Sequence, residues 1–161
     1  MLKSAAWFLA SAFVLSTACT QKTEQKHLLV FNNDLEVFSL GQGSPLEQWL
    51  RCDKVVVYQN LKFGYSEMFQ WHEYIEEYPH VKFIFIVQAQ DEARIKEFLL
   101  FYKLDNYSIF WDRNNRFKKD NKVESEVSFI AFLVDKENKV VGLSNPTIPD
   151  FSKRLAKLDG C

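Results

Sequence analysis

The sequence is poor in cysteine, glycine and proline, and it has no excess of basic residues. Its three cysteines among 161 residues are too few for a small, disulfide-dense scaffold. The 20 Lys and Arg residues are matched by 21 Asp and Glu residues, which gives no support for a dedicated nucleic-acid-binding protein. The composition also argues against a collagen-like repeat and a multi-span membrane protein. No nucleophile elbow, phosphate-binding loop or Rossmann glycine motif is present in the chain.

Apolar and aromatic side chains, in contrast, are abundant. Hydrophobic residues make up 47% of the chain, which contains 15 Phe, 6 Tyr and 4 Trp. This content supports a folded core and excludes an intrinsically disordered chain. The length fits one domain, or one domain preceded by an export segment.

The first residues have the order of charge, apolar stretch and small residues that is typical of a secretory signal. Lys3 supplies the charge, and residues 5–15 are almost wholly apolar. Eleven residues rise only about 16 Å as a helix, roughly half the hydrocarbon core of a membrane, so this stretch is too short to span it. Residues 16–18 (STA) form a small-x-small site, so we expect a signal peptide over residues 1–18.

Cys19 follows this site directly, and residues 16–19 (STAC) resemble the lipobox of bacterial lipoproteins, although Ser16 stands where that family usually has Leu. The resemblance implies that Cys19 is acylated and anchors the protein in a lipid bilayer, with residues 19–26 as a tether. We therefore expect the bacterial cell envelope. The periplasmic face of the outer membrane is favoured, and the inner membrane and cell surface stay open. The alternative is a secreted protein with a free Cys19.

The remaining chain, residues 27–161, predicts a single domain of alternating strands and helices. A turn cluster at residues 32–34 suggests that the first two strands form a hairpin. Ser44, Ser66 and Asp91 are predicted helix caps, Ser44 as part of a capping box. Residues 112–122 read as a loop or a ragged helix. The predicted strands are 27–31, 35–40, 54–58, 81–87, 107–111, 128–134 and 140–143, and the predicted helices are 45–51, 66–78, 92–102 and 149–158.

The order of these elements predicts an α/β sandwich. A helix returns the chain between strands 54–58 and 81–87, so these two strands must be parallel. A short turn joins strands 128–134 and 140–143, so they must be antiparallel. We expect a mixed sheet of about five strands with helices on both faces and a short N-terminal β extension.

Three stretches resemble the thioredoxin-like superfamily, and within it the TlpA-like redoxins of bacterial envelopes. Residues 130–142 (IAFLVDKENKVVG) look like the C-terminal hairpin of that family, and residues 110–117 (FWDRNNRF) look like its short strand and the turn that follows. Residues 55–58 and the helix after them stand where the redox strand and helix belong. Residues 142–146 (GLSNP) resemble the hairpin exit of Bacteroidetes lipoproteins. The resemblance covers about residues 52–158 and implies a thioredoxin-like three-layer sandwich.

The family's redox motif is missing from this chain. Its Cys-x-x-Cys pair would fall near Lys62 and Tyr65, but residues 59–66 (QNLKFGYS) contain no cysteine. Its cis-proline would fall near Phe129, where no proline is present. Conventional dithiol exchange at that site is therefore excluded, and no cofactor is implied. We expect a non-catalytic protein-binding or structural module, with a carrier of a ligand or a lipoprotein as an alternative.

Cys52 and Cys161 remain once Cys19 is assigned to the anchor. In the family topology both would lie at the bottom edge of the sheet, away from the redox loop, which implies that they can form a structural disulfide. The alternative is two free thiols. An enzymatic hypothesis also stays open: an atypical thiol–disulfide oxidoreductase that uses Cys52, Cys161 or both.

The redox loop of this chain is rich in aromatic residues. Tyr58, Phe63 and Tyr65 belong to it, and the resemblance places Phe129 opposite. In active relatives this surface binds extended peptides, so these four side chains are a candidate patch for an envelope protein partner. The alternative is that they fill the space left by the missing motif.

No metal site is predicted, because His27, His72 and His80 are scattered along the chain. His72 and Glu76 are four residues apart on a predicted helix, and a solvated helix face explains them better than a two-ligand site. Residues 113–119 form a short basic stretch. It would suit acidic partners or lipid headgroups, although short charge runs are usually only solvated.

Overall fold

A computed structural model describes residues 27–64, 69–123 and 129–161, and it describes Phe129 by its backbone alone. The predicted signal peptide at residues 1–18, the acylation site Cys19 and the tether lie outside these residues. So do Tyr65 and the predicted helix cap Ser66. These expectations stay predictions.

The described residues form one six-stranded sheet whose order is β1-β4-β3-β2-β5-β6. The strands are β1 (Glu36–Ser39), β2 (Lys54–Asn60), β3 (Lys82–Gln88), β4 (Ser108–Trp111), β5 (Phe129–Val134) and β6 (Val140–Leu143). The helices are α1 (Leu46–Trp49), α2 (Trp71–Glu77), α3 (Glu92–Phe101), α4 (Arg116–Asp120) and α5 (Phe151–Leu155), with one 3₁₀ turn at Leu61–Phe63.

The pairing confirms the predicted mixed sheet. β2 lies at its centre, parallel to β3 and antiparallel to β5, and β5 is antiparallel to β6. All seven residues of β2 are buried, as its continuous apolar sequence predicts for a central strand. The sheet has six strands where about five were expected, because the N-terminal extension contributes β1.

Two apolar cores lie on opposite faces of the sheet, which gives the three layers of the predicted sandwich. Alternate residues of β2 point to each side, with Val55 and Val57 in one core and Val56 and Tyr58 in the other. The first core contains the buried residues of α2, α3 and α5. The second contains buried residues of α1, of α4 and of the segment before β1.

The predicted N-terminal hairpin is wrong. Leu28 forms an isolated bridge with Lys139 beside β6, whereas β1 pairs with β4 at the opposite edge of the sheet. The predicted turn exists, since the Leu35 N–H donates to the Asn32 carbonyl at 3.2 Å. The chain crosses one face of the sheet instead of folding back on itself, because Leu29 is buried in the second core.

Two predicted helix starts also need correction. The Ser44 hydroxyl accepts a hydrogen bond from the Ser108 N–H at 3.0 Å, so it ties β4 to the chain before α1 instead of capping that helix. α2 begins at Trp71, later than predicted, after a tight turn in which the Trp71 N–H donates to the Phe69 carbonyl at 2.8 Å. The Asp91 cap is confirmed, since its carboxylate accepts from the Arg94 N–H at 3.0 Å.

Candidate functional site

The carboxyl end of β2 is held by polar backbone contacts. The Asn60 side chain caps the 3₁₀ turn by accepting a hydrogen bond from the Lys62 N–H at 3.1 Å. Gly64 follows with a φ of +82°, a conformation that suits glycine. The Gln59 side-chain amide donates to the Gly64 carbonyl at 3.3 Å. This end of the strand therefore has a defined loop without any cysteine.

The structure describes Tyr58, Phe63 and the backbone of Phe129 among the four aromatic residues of the predicted patch. Tyr58 is completely buried and stacks on Phe117 with ring centroids 6.1 Å apart, so its place in a surface patch is wrong. The alternation of β2 turns its side chain into the second core. Phe63 is 50% exposed at the end of the 3₁₀ turn. The backbone of Phe129 pairs with Gln59, which brings residue 129 to the same end of the sheet, and Tyr65 lies outside the described residues.

Asp112 is a buried carboxylate that sequence reasoning did not single out. It follows β4 and accepts hydrogen bonds from the N–H groups of Phe117 and Lys118, both at 3.2 Å, at the start of α4. Burial raises the pKa of Asp112, and these backbone donors oppose the shift. Burial, reinforced by the charge of Asp112, also raises the pKa of Tyr58. Both carboxylate oxygens of Asp112 accept hydrogen bonds from N–H groups of α4. We therefore infer that Asp112 stabilises the start of this helix.

The amino end of β2 contains the disulfide of the described chain. Cys52 and Cys161 are joined there, with Cα atoms 4.6 Å apart and a sequence separation of 109 residues. Cys52 is only 6% exposed, whereas Cys161 is exposed. The neighbouring Asp53 binds the same C-terminal segment twice: its N–H donates to the Gly160 carbonyl, and its carboxylate accepts from the Asp159 N–H, both at 3.1 Å. Hydrogen bonds thus hold the C-terminus beside the sulfur–sulfur bond.

Lys54, next to these residues, is completely buried. Its ammonium group donates to three main-chain carbonyls, those of Leu50, Cys52 and Asp135, each at 3.0 Å. Burial lowers its pKa from 10.5 to about 8. Three carboxylates oppose that shift, those of Asp135, Asp53 and Glu137. The only sequence signal for this group is a lysine at the first position of an otherwise apolar strand.

The two ends of β2 are well separated. A strand rises about 3.3 Å per residue, so the seven residues from Lys54 to Asn60 span roughly 20 Å. The disulfide at one end is therefore remote from the loop at the other.

The histidines and basic residues do not form a common site in the described structure. His72 Nε2 lies 3.4 Å from Lys103 Nζ, and no cluster of three or more metal-ligating side chains occurs among the described residues. In the basic stretch, Arg113 lies over the Trp111 ring at 3.8 Å and pairs with Glu36 at 3.0 Å. This arginine is thus engaged within the domain.

One groove of about 340 Å³ lies beside α5 and combines apolar residues such as Leu133 with the charged residues Asp150, Arg154 and Lys157. The carrier hypothesis, which needs a sizeable apolar pocket, stays a prediction.

Within the described ranges, no helix has the length and apolarity needed to cross a membrane.

Three solved structures with a similar fold are thiol–disulfide proteins by description. A protein from Chlorobium tepidum, assigned as a thiol:disulfide interchange protein DsbE, superposes with a TM-score of 0.55 at 11% identity, covering 76% of this chain and 92% of that one. A domain from Cytophaga hutchinsonii, assigned as a thiol-disulfide isomerase, gives 0.53 at 9% identity, covering 66% and 76%. The thioredoxin domain of a Bacteroides vulgatus thiol-disulfide oxidoreductase gives 0.50 at 11% identity, covering 62% and 74%.

These similarities show a thioredoxin-like fold, as the sequence resemblance implied. Neither the protein-family models nor the curated proteins match this sequence.

Proposed function

We propose that this chain is a thioredoxin-like module of the bacterial envelope that binds a protein partner and does not exchange dithiols at the usual position of the fold. The observation that carries the proposal is the position of the cysteines. The described disulfide lies at the amino end of β2, and the loop at the carboxyl end, residues 59–66, contains no cysteine.

Dithiol exchange needs a thiolate that attacks a disulfide of the partner, so the reacting sulfur must lie at the contact surface. The loop at residues 59–66 offers no such sulfur. Its exposed Phe63 instead presents an apolar ring beside the buried Leu61. Exposed aromatic side chains on a rigid support are typical of protein-binding surfaces. The partner that fits is an envelope protein with an apolar side chain that covers Phe63.

The proposed location rests on the first 26 residues. A signal peptide over residues 1–18 directs export, and acylated Cys19 anchors the module in a bilayer. Because exported proteins meet an oxidising compartment, this location also suits a persistent Cys52–Cys161 bond. A structural role for that bond is supported by the burial of Cys52 and by the two hydrogen bonds between Asp53 and the C-terminal segment.

A second candidate function is a thiol–disulfide oxidoreductase that uses the Cys52–Cys161 bond itself. The exposure of Cys161 favours it, because an external thiolate needs access to one sulfur. In that reaction an external dithiol reduces the bond to two thiols, which then reduce a disulfide of the substrate.

Insulin reduction driven by dithiothreitol separates the two candidates. The protein is compared with its Cys52→Ser, Cys161→Ser double variant, which removes both sulfurs and leaves Phe63 in place. The binding-module proposal predicts that both samples show only the background rate of dithiothreitol. A rate in the wild-type protein that disappears in the double variant would support the oxidoreductase and overturn the proposal.

A further inference from the structure

The first described residues enter the domain at the amino end of β2. The Val140 N–H donates to the His27 carbonyl, and the Leu29 N–H donates to the Asn138 carbonyl, both at 2.8 Å. These contacts place the N-terminal segment beside the turn between β5 and β6. Because β5 pairs Val134 with Lys54, that turn lies at the disulfide end of the central strand.

Two apolar side chains of this segment face away from the domain. Leu28 is 62% exposed and Val30 is 45% exposed, whereas Leu29 between them is 4% exposed and belongs to the second core. This alternation is that of an extended segment with one buried and one outward face. The Asn121 side chain fixes the segment by accepting from the Val30 N–H at 2.8 Å and donating to the Val30 carbonyl at 2.9 Å.

Lysines flank the two exposed apolar residues. Lys139 is the bridge partner of Leu28, and Lys122 lines a groove of about 300 Å³ together with His27, Leu28, Asp120 and Asn121. Both lysines are exposed. We call Leu28, Val30, Lys122 and Lys139 the tether-proximal surface.

The segment between Cys19 and His27 limits how far the domain can lie from a membrane anchor at Cys19. Seven residues, 20–26, separate Cys19 from His27, and they contain two lysines and one glutamate. Even fully extended, this segment reaches roughly 25 Å. A domain anchored through Cys19 therefore always has His27, which precedes the tether-proximal surface, within that distance of the headgroups.

We propose that the tether-proximal surface docks on the surface of an anionic phospholipid bilayer. Leu28 and Val30 enter the boundary between headgroups and acyl chains, and Lys122 and Lys139 are attracted to lipid phosphates. The inference rests on the proposed anchor at Cys19, which favours a bilayer over other occupants because it holds the surface next to one.

The test uses the full chain reconstituted in vesicles of phosphatidylethanolamine and phosphatidylglycerol that contain nitroxide-labelled lipid. An environment-sensitive fluorophore is attached to a Val30→Cys variant, and peptide mapping restricts the comparison to protein labelled at residue 30 and not at Cys19, whose thiol is blocked only when it is acylated. The matched control is Leu100→Cys, which is 55% exposed on α3, across the sheet. Docking predicts that lipid nitroxides quench the probe at residue 30 much more than the probe at residue 100.

Two further changes examine the role of charge. Lys122→Gln and Lys139→Gln should each lower the ratio of docked to undocked protein about fivefold. Vesicles of phosphatidylcholine alone, which carry no net charge, should lower this ratio further. Equal quenching at residues 30 and 100 in the anionic vesicles would overturn the proposal.

The intact mass of the same sample reports acylation separately. Quenching at residue 30 without an acyl mass would support docking while the proposed anchor fails. An acyl mass without quenching at residue 30 would overturn docking while the anchor stands.

Discussion

The two ends of β2 differ in what holds them together. At the amino end, a disulfide, the ammonium group of Lys54 and the carboxylate of Asp53 connect the strand to the C-terminus and to the β5–β6 turn. At the carboxyl end, Asn60 and Gln59 hold a short loop through two side-chain contacts, and Phe63 is half exposed.

The family topology implied this position for Cys52 and Cys161, and it is the reverse of the arrangement in active redoxins. Redoxins of that family carry reactive cysteines at the carboxyl end of the strand, whereas this chain has its bonded cysteines at the amino end. The lesson is that a thioredoxin-like sheet can carry its bonded cysteines at the end opposite to the usual redox loop. Each prediction below changes one end and leaves the other intact.

The largest effect is expected from removal of the disulfide. A cross-link that closes a loop of this length stabilises the fold by up to about 4–5 kcal/mol, chiefly by restricting the unfolded chain. The Cys52→Ser, Cys161→Ser double variant should therefore lose unfolding free energy in urea denaturation, up to this limit. If the urea midpoint of the double variant equals that of the wild-type protein measured without reductant, the disulfide does not stabilise the fold.

Truncation of Leu61 at the carboxyl end is expected to cost about 2–4 kcal/mol, because this side chain is 4% exposed and belongs to the first core. Phe63→Ala is the matched control two residues away. Since its ring is half exposed, this change should alter stability by only about 0.5 kcal/mol while weakening partner binding. A loss of stability from Phe63→Ala as large as that from Leu61→Ala would show that Phe63 is a packing residue.

A further prediction concerns pH and the buried Lys54. Its folded-state pKa of about 8 lies below the ordinary 10.5, so the unfolded chain binds the proton more tightly. The free energy of unfolding should rise with pH from about 8 toward 10, by at most about 1.4 kcal/mol per unit, and Lys54 should contribute no pH dependence below that window. Above pH 10 the raised pKa of Tyr107, about 12, makes stability fall again.

Two lysine variants assign this slope. Lys54→Met should abolish it, whereas Lys82→Met should keep it. Lys82 is the register partner of Lys54 on β3, and its ammonium group makes an exposed hydrogen bond to the Pro79 carbonyl at 3.0 Å. A slope that survives in Lys54→Met must come from another group.

The parts of the fold that local pattern decides were predictable from the sequence. β2 and β3 are continuous apolar runs, and the Asp91 cap of α3 needs only a carboxylate three residues before its donor. The parts that distant partners decide were not. β1 pairs with β4, about 70 residues later in the chain. The Ser44 hydroxyl accepts a hydrogen bond from the Ser108 N–H instead of capping its own helix.

The candidate site divides in the same way. The absence of cysteine from residues 59–66 is visible in the sequence, and the family topology implied that Cys52 and Cys161 can meet. The burial of Tyr58 depends on which face of β2 it occupies, and the carbonyl partners of Lys54 include one 81 residues away. No local pattern reports either fact.

The central claim is that the Cys52–Cys161 bond is structural and that the module does not exchange dithiols. Equilibration of the full chain in glutathione buffers of graded potential, followed by acid quenching and intact mass, tests it most directly. The account predicts that the two-proton mass gain of reduction appears only below about −300 mV, the range of structural disulfides. Reduction near −200 mV, in the range of glutaredoxins and protein disulfide isomerase, would contradict it and make this bond the reactive centre.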